Sequence, residues 1–132
     1  MNDVWPLTTV DSLCVRVTSG GTPSRKASGY FTRPGVGLPW VKTKELGDGW
    51  IRSSEEWISS AAMRQSSAKV LPKNTVLMAM YGATVGRLGI LARDAACNQA
   101  ACAMIVDPLQ ADYRFLSVSY THLRAHETEA DL

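Results

Sequence analysis

Thr75-Val-Leu-Met-Ala-Met-Tyr81, followed by Gly82-Ala-Thr-Val-Gly86 and Leu88-Gly-Ile-Leu91, organises the reading of this chain. The first segment is an apolar run bounded upstream by the turn residues Leu71-Pro-Lys-Asn74, so it reads as a buried strand. The last segment reads as a second strand. Between them, Gly82-Ala-Thr-Val-Gly-Arg-Leu-Gly89 superficially suggests a phosphate loop. It lacks the G-K-[ST] ending of that motif, and its G-x-x-x-G-x-x-G spacing is not the dinucleotide-binding G-x-G-x-x-G. Strand pairing around a tight glycine turn accounts for it better.

Working outward, residues 98–106 form a third apolar strand, stopped by Asp107-Pro108. Residues 110–116 start a helix that is cut short. Upstream, Ser59 caps a short helix through Ser66, favoured by Ala61, Ala62 and Met63. Trp50-Ile51 is extended, and Leu38-Pro-Trp-Val-Lys42 is a short strand. Thr43 is placed to cap one helical turn ending at Leu46. Residues 25–39, rich in glycine, proline and polar side chains, read as a long loop. Gly20-Gly-Thr-Pro-Ser24 is a turn signal. Val15-Arg-Val-Thr18 alternates like a half-buried strand, and residues 9–14 read as a helical turn capped by Thr9. The expected class is α+β: a curled, mostly antiparallel sheet with short helices and long loops, followed by the start of a truncated helix.

The 132 residues suit one domain, and a 45% hydrophobic fraction is ordinary for a globular protein. No window approaches the roughly 20 apolar residues of a membrane span. Met1-Asn-Asp-Val-Trp-Pro-Leu-Thr-Thr9 does not read as a signal peptide, so the cytoplasm is the expected compartment. Cys14, Cys97 and Cys102 make no C-x2-C pair, and read as reduced, partly buried thiols rather than a zinc site.

The segment Val118-Ser-Tyr-Thr-His-Leu-Arg-Ala-His-Glu-Thr128 resembles the conceptual translation of a transposon-end adapter used in sequencing libraries. Residues 118–132 are therefore set aside, leaving 1–117 as the domain. Both histidines, His122 and His126, fall in the excluded part. That part holds one arginine and three acids, so residues 1–117 carry a net +4 against +2 for the whole chain.

Without histidine, residues 1–117 lack the commonest general base and metal ligand, and no Ser-His pair is possible. Glu55 and Glu56 are adjacent and on a strand would point to opposite faces, as solvated charges. No catalytic residue is assigned.

The order of motifs is the informative feature. Gly20-Gly-Thr-Pro-Ser24 is followed by Leu38-Pro-Trp-Val-Lys-Thr-Lys-Glu-Leu46 and Gly49-Trp-Ile51. Then come Ser67-Ala-Lys-Val-Leu-Pro-Lys-Asn-Thr-Val-Leu77, Met80-Tyr-Gly-Ala-Thr-Val-Gly86 and Cys97-Asn-Gln99. This series resembles the target-recognition domain of the specificity subunit of type I restriction–modification systems, over residues 5–116. The resemblance implies double-stranded DNA as partner, one half of a bipartite target being read by this domain. It implies methyltransferase subunits that use S-adenosylmethionine, and a motor-nuclease subunit that uses ATP and Mg. No cofactor is expected in this chain. A fragment of a fused restriction–methylation enzyme and a protein-interaction domain that binds no DNA are the alternatives.

Phosphates are held by cations, hydroxyls and backbone N–H groups, and base edges by paired donors and acceptors. Thr22 and Ser24 are candidate phosphate donors, unless their loop merely connects two elements. Lys42 and Lys44 would share one side of an extended segment and contact phosphate, or form a solvated face. Tyr81 would present its ring to nucleic acid, or pack in the core. Arg87 would reach a phosphate or a guanine edge. Gln99 suits adenine, whereas Asn98 is expected to satisfy buried backbone groups. Residues 25–37 and 52–64 fill the slots of variable loops, with Arg25, Lys26, Arg33, Arg52 and Arg64 as candidates. Trp40, Trp50 and Trp57 are expected to pack in the core or at its rim rather than stack on bases.

Overall fold

A computed structural model describes residues 14–107. Among these residues, nine strands lie in two sheets. The first sheet has the order β1-β9-β6-β7-β4, with β1 Cys14–Ser19, β4 Gly49–Ile51, β6 Val76–Ala79, β7 Leu88–Leu91 and β9 Ala101–Val106. The second has the order β2-β5-β3-β8, with β2 Phe31–Thr32, β3 Leu38–Val41, β5 Trp57–Ile58 and β8 Ala96–Cys97. One helix, α1 Ser60–Gln65, follows β5.

The α+β class holds. Most strand pairs are antiparallel, but β3 runs parallel to β8 and β4 parallel to β7. The expected single sheet is in fact two. The reason is a shared core: Leu77, Ala79, Leu91, Ala101 and Ala103 of the first sheet bury against Val41 and Cys97 of the second. Small residues at Ala79, Ala101 and Ala103 allow the close approach. Alternation along β6 sends Val76 to the opposite face, where it clusters with Leu88, Ile90 and Met104.

The apolar run ends as a strand at Ala79, so Met80 and Tyr81 lie outside the sheet and are exposed. The glycine turn is a hairpin connection. The Ala79 N–H donates to Arg87 O at 2.9 Å and the Gly86 N–H donates to Ala79 O at 2.9 Å. Gly82 and Gly86 have φ values of 90° and 86°, in the left-handed region that side chains disfavour. The short helix matches its expected start: the Ser59 hydroxyl accepts the Ala62 N–H at 3.2 Å.

Four expectations need correction. The 25–39 loop contains strand β2, which pairs with β5. The β1 segment is a strand, but Val15 is 68% exposed because β1 is the edge of its sheet. Strand β9 begins at Ala101 rather than at Asn98. The turn Thr43–Glu45 is 3-10, and its cap is not Thr43: the Glu45 carboxylate takes the Lys42 N–H at 2.9 Å. The helical turn at 9–14 lies outside the described residues, except that Cys14 starts β1. The helix at 110–116 and the adapter-like tail also lie outside them.

Candidate nucleic-acid interface

Strand register gathers most of the candidate residues at one end of the molecule. Ser19 pairs with Cys102, Ala79 with Ala101, and Met78 with both Cys102 and Leu88. The loop after β1, the β6–β7 turn and the segment before β9 therefore share one end of the first sheet. The parallel pair β3–β8 sets Val41 beside Cys97, and the Asn98 N–H donates to Val41 O at 3.0 Å. Lys42 thereby arrives next to Asn98 at the same end.

The glycine-rich loop is built for packing. A Cβ on Gly20 would collide with the Cys97 and Asn98 carbonyl oxygens, and the Gly21 N–H donates to Cys97 O at 3.0 Å. Gly21 O accepts the Trp40 indole N–H at 3.0 Å. With Gly20, Gly21 and Pro23 buried, Thr22 and Ser24 are left exposed. The Thr22 hydroxyl donates to Gln99 Oε1, joining two candidates that are 77 residues apart in sequence. The Ser24 hydroxyl accepts the Lys26 N–H at 3.2 Å and shapes the turn that carries the exposed Lys26.

Tyr81 is 58% exposed and Arg87 is exposed on the far side of the same turn. Met80 and Val85 are exposed beside them. At this tip, apolar side chains reach solvent together beside the gathered polar residues.

Arg25, Lys42 and Lys44 form a second group that sequence reading did not foresee as a unit. Their partners are Glu55 and Glu56. Arg25 binds Glu56 through both terminal nitrogens, at 2.8 and 2.9 Å. Lys42 Nζ lies 2.9 Å from Glu56 and 3.3 Å from Glu55, and Lys44 lies 3.2 Å from Glu55. The two glutamates do not point to opposite faces, because the chain bends at Glu55 instead of continuing as a strand. Glu45 pins that bend: its carboxylate accepts the Ser54 hydroxyl at 2.8 Å and the Glu55 N–H at 3.1 Å. The missed signal was three cations and two carboxylates on three segments, which only long-range folding unites.

Bidentate bonding from Arg25, with further help from Lys42, drops the Glu56 carboxyl to about 2. Lys44 and Lys42 lower that of Glu55, and the Arg25 and Lys42 cations are correspondingly raised. Because the folded value of Glu56 is depressed, its stabilising effect is complete above about 4.5 and is lost as pH falls toward about 2. Thermal unfolding across pH 2–7 tests this. The midpoint of the wild type should fall through that window, whereas Glu56→Gln should be less stable at neutral pH and flatter below it. Parallel curves would assign the acid sensitivity to another group.

Arg64 does not join either group. It sits on α1, beside an apolar groove of about 250 Å³ lined by Gly37, Leu38, Ile58, Met63 and Val70. Leu38 begins β3 whereas Lys42 follows its end, so Arg64 belongs to the opposite end of that strand. Arg33 and Arg52 are exposed on their loops. Trp40 and Trp57 are buried, and Trp50 is 45% exposed on the edge strand β4. Asn98 Oδ1 is buried without a hydrogen-bond partner among the described residues.

Ser66 and Lys69 have the S-x-x-K spacing of a serine–lysine nucleophile pair, but they turn elsewhere. The Ser66 hydroxyl donates to Ala62 O at 2.6 Å, and Lys69 donates to Ser19 O at 2.8 Å. Burial pushes the Cys97 thiol up to about 12, which makes it a poor nucleophile. Among the described residues, no helix is long and apolar enough to cross a membrane.

No family model matches the chain. Among curated proteins, it is 28% identical over 69 residues to the specificity subunit of the type I restriction enzyme EcoR124I/EcoR124II of Escherichia coli, covering 52% of this chain and 17% of that protein. It is 30% identical over 86 residues to the specificity subunit of the type I restriction enzyme MjaIX of Methanocaldococcus jannaschii, covering 63% of this chain and 19% of that protein. The chain thus spans less than a fifth of the length of these relatives. Its fold matches the HsdS subunit from Thermoanaerobacter tengcongensis with a TM-score of 0.68 at 17% identity, covering 89% of this chain and 27% of that one. It also matches a chain from a type I restriction–modification system, solved in a study of complex assembly and conformational transition. That match has a TM-score of 0.67 at 19% identity, covering 86% of this chain and 26% of that one. Over the parts that match, the chain is similar in sequence to the specificity subunits of type I restriction enzymes and similar in fold to an HsdS subunit.

Proposed function

We propose that this chain recognises duplex DNA sequence for a type I restriction–modification complex, and that it reads one half of a bipartite target. Residues 1–117 form the reading domain, and 118–132 have no part in it. Catalysis belongs to partner subunits: methyltransferase subunits with S-adenosylmethionine, and a motor-nuclease subunit with ATP and Mg. The observation that carries this reading is the sequence kinship to two specificity subunits. The gathering of Thr22, Arg25, Lys42, Lys44, Tyr81, Arg87 and Gln99 at one end supports it, because a duplex contact needs donors and cations on one surface.

The test is duplex binding by this chain reconstituted with methyltransferase subunits, measured against salt and against sequence. Affinity should fall linearly with salt on logarithmic axes, because each neutralised phosphate releases condensed counterions. Arg87→Ala should reduce that slope by about one if Arg87 holds a phosphate. Binding with neither a salt slope nor a sequence preference would reject the proposal.

A further inference from the structure

We propose that Arg25 is a base-reading side chain for a guanine edge and that Glu56 is the residue that positions it. This inference rests on the DNA-reading function above.

The argument starts from the cost of ordering an arginine. A long side chain loses rotamer freedom when it binds, and that loss weakens a specific contact unless the side chain is already held. Arg25 is exposed over 57% of its side chain, yet it is held on two sides. Both terminal nitrogens bond the two oxygens of Glu56. The guanidinium also lies 4.4 Å from the Phe31 ring centroid and 5.6 Å from that of Trp40, and these two rings meet edge to face at 5.4 Å. Trp40 is buried, so the platform is part of the core.

Glu56 is itself anchored. Its carbonyl accepts the Trp40 N–H at 2.8 Å, its N–H donates to the Ser54 hydroxyl at 3.3 Å, and its carboxylate takes a second cation from Lys42. Of the five N–H donors of a guanidinium, two are spent on Glu56. The Nε–H and one terminal N–H remain side by side on the neighbouring edge, a fork that matches O6 and N7 of guanine. Arg33, Arg52, Arg64 and Arg87 are exposed, and Arg93 lies 4.8 Å from the Trp57 ring centroid. The Lys44–Glu55 pair is a useful contrast. Both side chains are more than 60% exposed, so it imposes little geometry.

The experiment selects bound sequences from a randomised duplex pool, using this chain assembled with methyltransferase subunits. Wild type is compared with Glu56→Gln, Arg25→Lys and Glu55→Gln. Wild type should require guanine at one position in particular. Arg25→Lys keeps the charge but lacks the fork, and should relax that position by roughly tenfold while leaving the other positions unchanged. Glu56→Gln should relax the same position, and Glu55→Gln should not. Thermal unfolding of each variant shows whether it is folded; if Glu56→Gln unfolds, Arg25→Lys alone decides. An unchanged preference in Arg25→Lys overturns the inference, and so does a uniform weakening at all positions, which would mark a phosphate contact. A wild type without any sequence preference would instead reject the DNA-reading function, and the inference with it.

Discussion

Gly20→Ala should lower the thermal midpoint by on the order of 15 °C, corresponding to a destabilisation of ~3 kcal/mol. The added methyl group would enter the space of two backbone carbonyls, Cys97 O and Asn98 O. A flexible side chain could move aside, but these atoms belong to β8 and to the segment leading into β9. Shifting them disturbs the β3–β8 pair, the Gly21–Cys97 hydrogen bond and the join between the two sheets. The same substitution at Gly47, where nothing lies within 4 Å of the new atom, should change the midpoint little. Circular dichroism melts of both variants provide the check, and similar losses at both positions would contradict the packing explanation. Any DNA-binding defect of Gly20→Ala must be judged against this loss of stability, because Thr22 is carried by the same loop.

Trp40→Ala should cost about 3–5 kcal/mol, within the range for truncating a buried tryptophan. Trp40 is 3% exposed and packs with Ile58, Ala62, Ala68 and Ala96 between the second sheet and α1. Its indole N–H is the donor to Gly21 O, which is buried with the loop. Trp40→Phe should recover much of the packing while leaving Gly21 O without that donor, and so should fall between wild type and alanine. Denaturant unfolding of the three proteins measures the order; Trp40→Phe as unstable as Trp40→Ala would mean that the hydrogen bond, not the volume, dominates. The same residue supports the Arg25 platform, so core stability and the reading face are coupled through one side chain.

Several parts of this architecture were legible along the chain. Leu88–Leu91 was readable as a strand, and the core of β6 lay inside the apolar run that precedes it. The glycine turn between them was readable because its φ values demand glycine. The start of α1 was readable because its cap, Ser59, is one residue away from the helix it serves. Tyr81 and Arg87 were candidates from their place in the turn, and both are exposed there. In each case the deciding atoms lie within a few residues of one another.

Other features depend on pairs far apart in sequence. Residues 25–39 looked like an unbroken loop because Phe31–Thr32 becomes a strand only beside Trp57–Ile58. Lys42 and Lys44 looked like free cations because Glu55, which both of them reach, is more than ten residues downstream. Glu55 and Glu56 looked like a solvated pair because the carboxylate that bends their segment comes from Glu45. Thr22 and Gln99 were chosen separately, and only the closure of the β1 end over β8 brings them together.

Local chemistry therefore settled the class of the fold, the central strands, the glycine turn and the capped helix, since these follow from short-range sterics and patterning. The tertiary structure decided the division into two sheets, the two parallel pairings and the partners of Arg25 and Lys42. Those choices come from which distant surfaces can bury each other and which charges then lie close enough to pair, and neither is written in any single segment.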